Sequence, residues 1–207
     1  SFEKYKAAKL SIAEALLISP KRPRVIVANS DDEYGAEFFS INVEKRISYS
    51  LSDLSLQTLH KDSVSFVLDN ITVRVPIAGL FNIYNTLAAL RVCQAFGVSL
   101  ETAAEALRTL KPIAGRVEQF ESDRTAEKQI TAVVDYAHTV DSLEKLYQAF
   151  PDKPKVGVLG NTGGGRDTWK RPEMAAVAEK YCDQIILTNE DPYDEDPQKI
   201  IDDMVKG

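Results

Sequence analysis

Cysteine and histidine are scarce in this chain, with two of each among 207 residues. Cys93 and Cys182 lie far apart in stretches of helical patterning and without metal-ligand spacing, so they read as reduced core residues rather than a disulfide framework. Two histidines, His60 and His138, are too few for a histidine-based metal centre, and His60 sits in a polar stretch that assigns it no role. No run approaches the roughly 18 consecutive apolar residues of a membrane span, and no charged-then-apolar signal segment opens the chain. Cationic residues are outnumbered, giving a formal net charge of −6. Counterion release from a nucleic acid needs clustered Lys and Arg, so a nucleic-acid partner is not expected. The expectation is a cytoplasmic, monomeric protein without a membrane or nucleic-acid partner, and a hydrophobic content of 44% is enough for real cores.

Two phosphate-binding signatures are also missing. No Gly-x-x-x-x-Gly-Lys-Ser/Thr loop occurs. The stretch Gly160-Asn161-Thr162-Gly163-Gly164-Gly165 follows a strand pattern, but its glycine spacing is not Gly-x-Gly-x-x-Gly. A nicotinamide-dependent oxidoreductase is therefore a weak reading.

What is present divides near residue 112. Phe2 to Ile18 has helical spacing and ends at Ser19-Pro20; Arg24 to Ala28 is a short apolar strand followed by a polar turn. From Ile41 to Pro76 the pattern is short β-type runs, notably Ser63 to Leu68 and Ile71 to Val75, joined by Asp69-Asn70, a dipeptide suited to a tight hairpin. Gly79 to Phe96 reads as an amphipathic helix, and Leu100 to Leu110 as another capped by Ser99. Lys111-Pro112 halts helix formation, which sets the expected units at 1–112 and 113–207. In the second unit strands and helices alternate: strands Val117 to Glu121, Ile130 to Val134, Lys155 to Leu159 and Gln184 to Leu187, with helices Ser142 to Phe150, Pro172 to Tyr181 and Pro197 to Lys206. Such alternation predicts an α/β fold with a mainly parallel, Rossmann-like sheet.

The most informative stretch is Thr131 to Ser142. An apolar β-branched run stops at Asp135, which places Asp135, Tyr136 and His138 in the loop at a strand's carboxyl end, where open α/β sheets bind ligands. An Asp suits a ribose hydroxyl, Tyr136 offers a ring face and His138 a switchable proton donor. The same tripeptide is also compatible with an ordinary strand-to-helix loop.

The order of motifs along the chain carries more than any one of them: Glu3 to Lys9; Gly79-Leu80-Phe81-Asn82-Ile83-Tyr84-Asn85; Gly115-Arg116-Val117-Glu118; Asp135-Tyr136-Ala137-His138-Thr139; Gly163-Gly164-Gly165-Arg166-Asp167; Lys170-Arg171-Pro172; and Asn189 to Pro197. This order and spacing resembles the Mur ligase family, and within it the UDP-N-acetylmuramoyl-tripeptide synthetases. The family carries a phosphate loop upstream and a Gly-Lys-Gly-His-Glu stretch further on, so the resemblance implies a piece: the later part of the central ATP-binding domain, then most of the C-terminal domain. As such, the 207 residues alone are not expected to hydrolyse ATP.

The resemblance implies ATP-dependent amide formation with Mg²⁺, in which a UDP-N-acetylmuramoyl-dipeptide carboxylate becomes an acyl phosphate that an amino acid's amine then attacks. Lys9 aligns with a lysine that is carbamylated in the family and would hold the metal through its anionic oxygens. Asn82 and Asn85 would meet adenine, although helix capping is the plainer role for such a pair. Arg116 would reach the γ-phosphate through its planar, permanently charged fork; an ion pair with Glu118 is the alternative. Asp135 would bind ribose and His138 would lie near the phosphates, while Arg166, Asp167, Lys170 and Arg171 would ring the phosphates and the incoming amino acid, with a solvated charge cluster as the alternative for Lys170 and Arg171. A related amide ligase of the superfamily, or a non-catalytic nucleotide-binding module, are competing readings.

One departure from the pattern bears on specificity. Relatives that add meso-diaminopimelate carry Asp-Asn-Pro-Arg-x-Glu, whereas this chain reads Glu190-Asp191-Pro192-Tyr193-Asp194-Glu195. Without the arginine, and with so many carboxylates, the loop favours lysine or another basic diamino acid, with Asp191 and Glu195 expected near its distal amine. The competing role for this acidic run is helix entry before Pro197.

Overall fold

The computed structural model describes residues 2–111, 113–123, 129–151, 153–165 and 167–207. They form two compact units, Ser1–Lys111 and Pro112–Gly207.

The first unit opens with α1 (Phe2–Glu14), which tightens into a 3-10 turn at Ala15–Ile18 and stops at Ser19, where the backbone becomes extended. Strand β1 (Val25–Asn29) pairs in parallel with β2 (Lys45–Tyr49), and the short α2 (Gly35–Phe39) lies between them in sequence. Strands β3 (Leu54–Leu59), β4 (Val64–Leu68) and β5 (Ile71–Val75) make a separate antiparallel sheet. The β4–β5 turn is Asp69-Asn70, with φ of 48° and 64°. Two successive left-handed residues are what a tight hairpin with right-handed strand twist requires, and Asn and Asp tolerate that region better than other side chains.

Val64, Phe66 and Leu68 alternate inward along β4 and meet Val73 and Val75 of β5. They pack on Ile83, Leu87 and Leu90 of α3 (Leu80–Ala95) and on Leu100, Ala103 and Ala104 of α4 (Leu100–Arg108). Ser99 caps α4 by accepting the Thr102 N–H. Helix α3 differs from the amphipathic stripe that the sequence suggests: Leu80 and Val92 are exposed as well, so apolar residues surround it.

The second unit begins with β6 (Glu118–Glu121) and β7 (Thr131–Val134), then α5 (Val140–Gln148), β8 (Val156–Leu159), α6 (Lys170–Tyr181), β9 (Gln184–Leu187) and α7 (Pro197–Val205). The fold is α/β as the alternation implies, and β8 and β9 pair in parallel on either side of α6. In contrast, β6 and β7 run antiparallel. Their connection, residues 122–130, is shorter than the dozen or so residues a parallel crossover needs. Leu143, Leu159, Met174, Ala178 and Met204 form the core of this unit.

An ion cluster closes the entry to β1. Arg24 Nε donates to Glu44 at 2.7 Å and Arg22 Nε lies 2.9 Å from the other carboxylate oxygen, while Arg24 Nη1 donates to the Leu17 carbonyl at the end of the 3-10 turn. The hydrogen bond from Arg24 holds the Glu44 carboxyl down to about 2 from an ordinary 4.5. A depressed folded-state value means that the contribution is full above the ordinary range and disappears as pH falls from about 4.5 toward about 2. Glu44→Gln is expected to flatten the acid limb of the stability-versus-pH curve over that window by lowering stability at neutral pH while leaving stability near pH 2 little changed, as read by denaturant unfolding at a series of pH values.

Candidate functional site

The site is built where β7 ends. Val134 is the last ladder residue, and Thr139 caps α5 by accepting the Ser142 N–H while Ser142 Oγ accepts the Thr139 N–H. Between these fixed points, Asp135 to His138 have little freedom. Asp135 Oδ2 accepts the Val117 N–H at 2.9 Å and Oδ1 accepts the Ala137 N–H at 2.8 Å. Val117 is 7% exposed and has a φ of 49°, a left-handed conformation that is an outlier for a β-branched residue and costs on the order of 1–3 kcal/mol. The carboxylate on its amide helps to hold it there.

Three groups with cationic or titrating capacity converge on this loop. The Arg116 guanidinium stacks over the Tyr136 ring, 4.9 Å from its centroid, leaving edge N–H groups for an anion. The His138 ring meets Tyr136 edge-on at 5.1 Å, and its Nδ1 lies 3.0 Å from the Tyr136 carbonyl oxygen. That contact is a hydrogen bond when Nδ1 carries the proton, which leaves Nε2 of a neutral ring as the acceptor. Lys170 Nζ donates to the His138 carbonyl at 3.0 Å. Glu118, the alternative partner of Arg116, accepts the Gly115 N–H at 2.8 Å. The corner therefore gathers Arg116, Asp135, Tyr136, His138 and Lys170, and its outward side is suited to a phosphate.

Beside it in sequence, the glycine loop lies against the acidic loop. Gly163 N–H donates to the Asp191 carbonyl, and a Cβ on Gly163 would stand 2.2 Å from the Pro192 carbonyl oxygen. Gly164, at a φ of 74°, lies under the ring of Tyr193, itself at a φ of 52° and 68% exposed. Gly165 N–H donates to Glu195 Oε1 at 3.2 Å. Gly163 is needed because two backbones approach too closely for a side chain, whereas Gly164 and Gly165 take positive φ, the region that glycine enters freely.

Glu195 is placed differently from the expectation of an open carboxylate near a distal amine. Its other oxygen accepts from Arg171 at 2.9 Å, so both are used within the protein. Arg171 is no solvated charge: it is 1% exposed. Periodicity could not reveal this, because its acidic partners lie 24 and 32 residues away. The one available signal was an arginine next to Pro172 at a helix start. Asp196 takes the helix-entry role, accepting the Gln198 N–H as the cap of α7. Asp167 is exposed just before α6, and Arg166 lies outside the described residues.

In the first unit, Asn82 Nδ2 donates to the Ala78 carbonyl and Asn82 Oδ1 accepts from Asn85. The pair braces the start of α3, with Asn85 exposed. Lys9 is exposed on α1 with its ammonium 5.2 Å from the Tyr5 ring centroid. Among the described residues no group of three or more His, Cys, Asp or Glu could by itself hold a metal.

Comparison with known proteins agrees with this architecture. A model described as the Mur ligase middle domain matches residues 1–93, and one described as the Mur ligase, glutamate ligase domain matches residues 115–207. The chain belongs to the Mur ligase family. Among its relatives, the UDP-N-acetylmuramoyl-L-alanyl-D-glutamate–2,6-diaminopimelate ligase of Vibrio vulnificus is 34% identical over 100% of this chain and 43% of that protein. The ligase of the same name from Thermosynechococcus vestitus is 36% identical over 99% and 42%. A solved structure of a ligase of that name aligns over 100% of this chain and 44% of its own, with a TM-score of 0.57 and 28% identity. Mycobacterium tuberculosis folylpolyglutamate synthase complexed with ADP shares the fold, with a TM-score of 0.70 over 93% and 44% at 18% identity. This Mur ligase chain spans less than half the length of the curated relatives it matches.

The glycine loop separates two kinds of substitution. Gly165→Ala meets open space but a φ of 71°, so a loss of about 1–2 kcal/mol is expected. Gly163→Ala drives a methyl into the Pro192 carbonyl and should cost clearly more. Thermal unfolding of both variants measures the order; equal losses would mean that the two loops do not pack as described.

Proposed function

We propose that this Mur ligase chain belongs to an enzyme that uses ATP to join an amino acid to a UDP-N-acetylmuramoyl-dipeptide. The dipeptide's terminal carboxylate oxygen attacks the γ-phosphorus and ADP leaves, giving an acyl phosphate. The amino acid's amine then attacks that carbonyl carbon, loses a proton, and inorganic phosphate departs with the C–O bond. Little covalent chemistry falls to the protein, whose part is placement and charge neutralisation.

The observation that carries this reading is the corner at the end of β7. Arg116, stacked on Tyr136, presents a fixed fork suited to the transferring phosphoryl group, and Lys170 and His138 flank it. Asp135 has its carboxylate on two backbone amides, so its contribution to ribose binding is to hold the loop. In the first unit, the exposed Asn85 amide is the candidate for adenine. No step is drawn through a metal or through Lys9. The names of the relatives, ligases acting on a muramoyl-alanyl-glutamate nucleotide, support the same substrate class.

For the incoming amino acid the chain's own loop favours a basic side chain, lysine or ornithine, although those relatives are named for diaminopimelate. Tyr193 offers no guanidinium to a distal carboxylate, and Asp191 and Asp194 would repel one. Glu195 drops out of the contact set because Arg171 and Gly165 hold it.

Amino-acid-dependent phosphate release by the complete enzyme, supplied with each candidate, tests both levels. Lysine or ornithine is expected to be preferred over meso-diaminopimelate; the reverse preference would overturn the specificity reading alone. Arg116→Ala should lower turnover by about a hundredfold or more, and near-normal turnover would make Arg116 structural.

A further inference from the structure

Arg171 is the largest of the fully buried side chains among the described residues. Its Nη2 donates to Glu195 Oε2 at 2.9 Å and its Nη1 to Asp203 Oδ2 at 3.2 Å, while Nε has no partner. A buried ion cluster of this kind is a poor way to gain stability, because an apolar side chain of similar volume fills such a space at less desolvation cost. What the arginine supplies is direction. A planar fork anchored on α7 through Asp203 fixes the rotamer of Glu195 in the preceding loop. Glu195 then turns its remaining oxygen to the Gly165 N–H, and the glycine loop in turn lies under the Tyr193 ring.

We infer that Arg171 is a positioning residue for the incoming amino acid. Acting through Glu195, it locks the glycine loop to the acidic loop and so sets where Asp191 and Tyr193 stand, without touching substrate itself. This rests on the ligase reading above, with the acidic loop as the surface that meets the amino acid's side chain. The clamp also explains why an acidic loop that would otherwise repel itself stays folded on the glycine backbone: one of its carboxylates is neutralised from inside.

The test combines amide hydrogen exchange at Gly165 with steady-state kinetics of the complete enzyme, for Arg171→Met and Arg171→Lys. Arg171→Met is expected to speed exchange at Gly165 and to raise the amino-acid KM about tenfold or more, with the ATP KM changed less than about threefold, since small displacements at a site can cost up to about a hundredfold. Arg171→Lys should recover part of both effects, because a point charge can reach one of the two carboxylates. A purely structural role would lower the melting temperature and leave the KM values in their wild-type ratio, which overturns the proposal. Unchanged Gly165 exchange in Arg171→Met overturns it too, whatever the kinetics. Should Arg171→Met not fold, Arg171→Lys carries the same comparison alone. Absence of ligation by the wild-type enzyme would instead defeat the proposed function, and Gly165 exchange would still decide whether the clamp exists.

Discussion

The carboxylate of Asp135 occupies the point on which the candidate site depends. By accepting the Val117 and Ala137 amides it ties the strand entering the second unit to the loop leaving β7, across 18 residues of sequence. That tie helps to hold Arg116, the neighbour of Val117, above the ring of Tyr136, the neighbour of Asp135. A left-handed valine is a poor local choice, and the carboxylate on its amide offsets it. The positive φ values at Val117 and Tyr193 fall beside Arg116 and within the acidic loop, and backbone strain of this kind is common at functional positions.

A second constraint of the same kind shapes the neighbouring loops. Gly163 allows backbone to approach backbone, and the buried Arg171 determines how the acidic loop uses that closeness. Both constraints assign carboxylates to internal work. Asp135 and Glu195, which the sequence offers as ligand contacts, spend oxygens on protein N–H and guanidinium groups, and this leaves Arg116, Lys170, Asp191 and Tyr193 as the outward chemistry.

Local signals in the sequence were legible where the cause is local. The Asp69-Asn70 turn, the Ser99 cap and the end of β7 at Asp135 follow from side chains acting on their own backbone, and the structure shows each. Helix α6 begins two residues before Pro172, because proline is tolerated in a first turn where its missing N–H has no acceptor. The antiparallel pairing of β6 with β7 was hidden in a count of alternating elements and is set by the length of their connection. Partners far apart in sequence were not legible at all: the bonds from Asp135 to Val117, from Arg171 to Glu195 and Asp203, and from Lys170 to the His138 carbonyl leave no periodic trace. The motif order carried the family even so, since it records which residues are present without requiring knowledge of what they touch.

Residue-resolved amide exchange of the chain, wild type against Asp135→Ala, tests the central tie directly. Val117 and Ala137 should be protected in the wild type, although both lie outside regular secondary structure, and both should lose protection in the variant while the β8–β9 ladder keeps its own. Free exchange at Val117 and Ala137 in the wild type, or protection that survives the loss of the carboxylate, would contradict it.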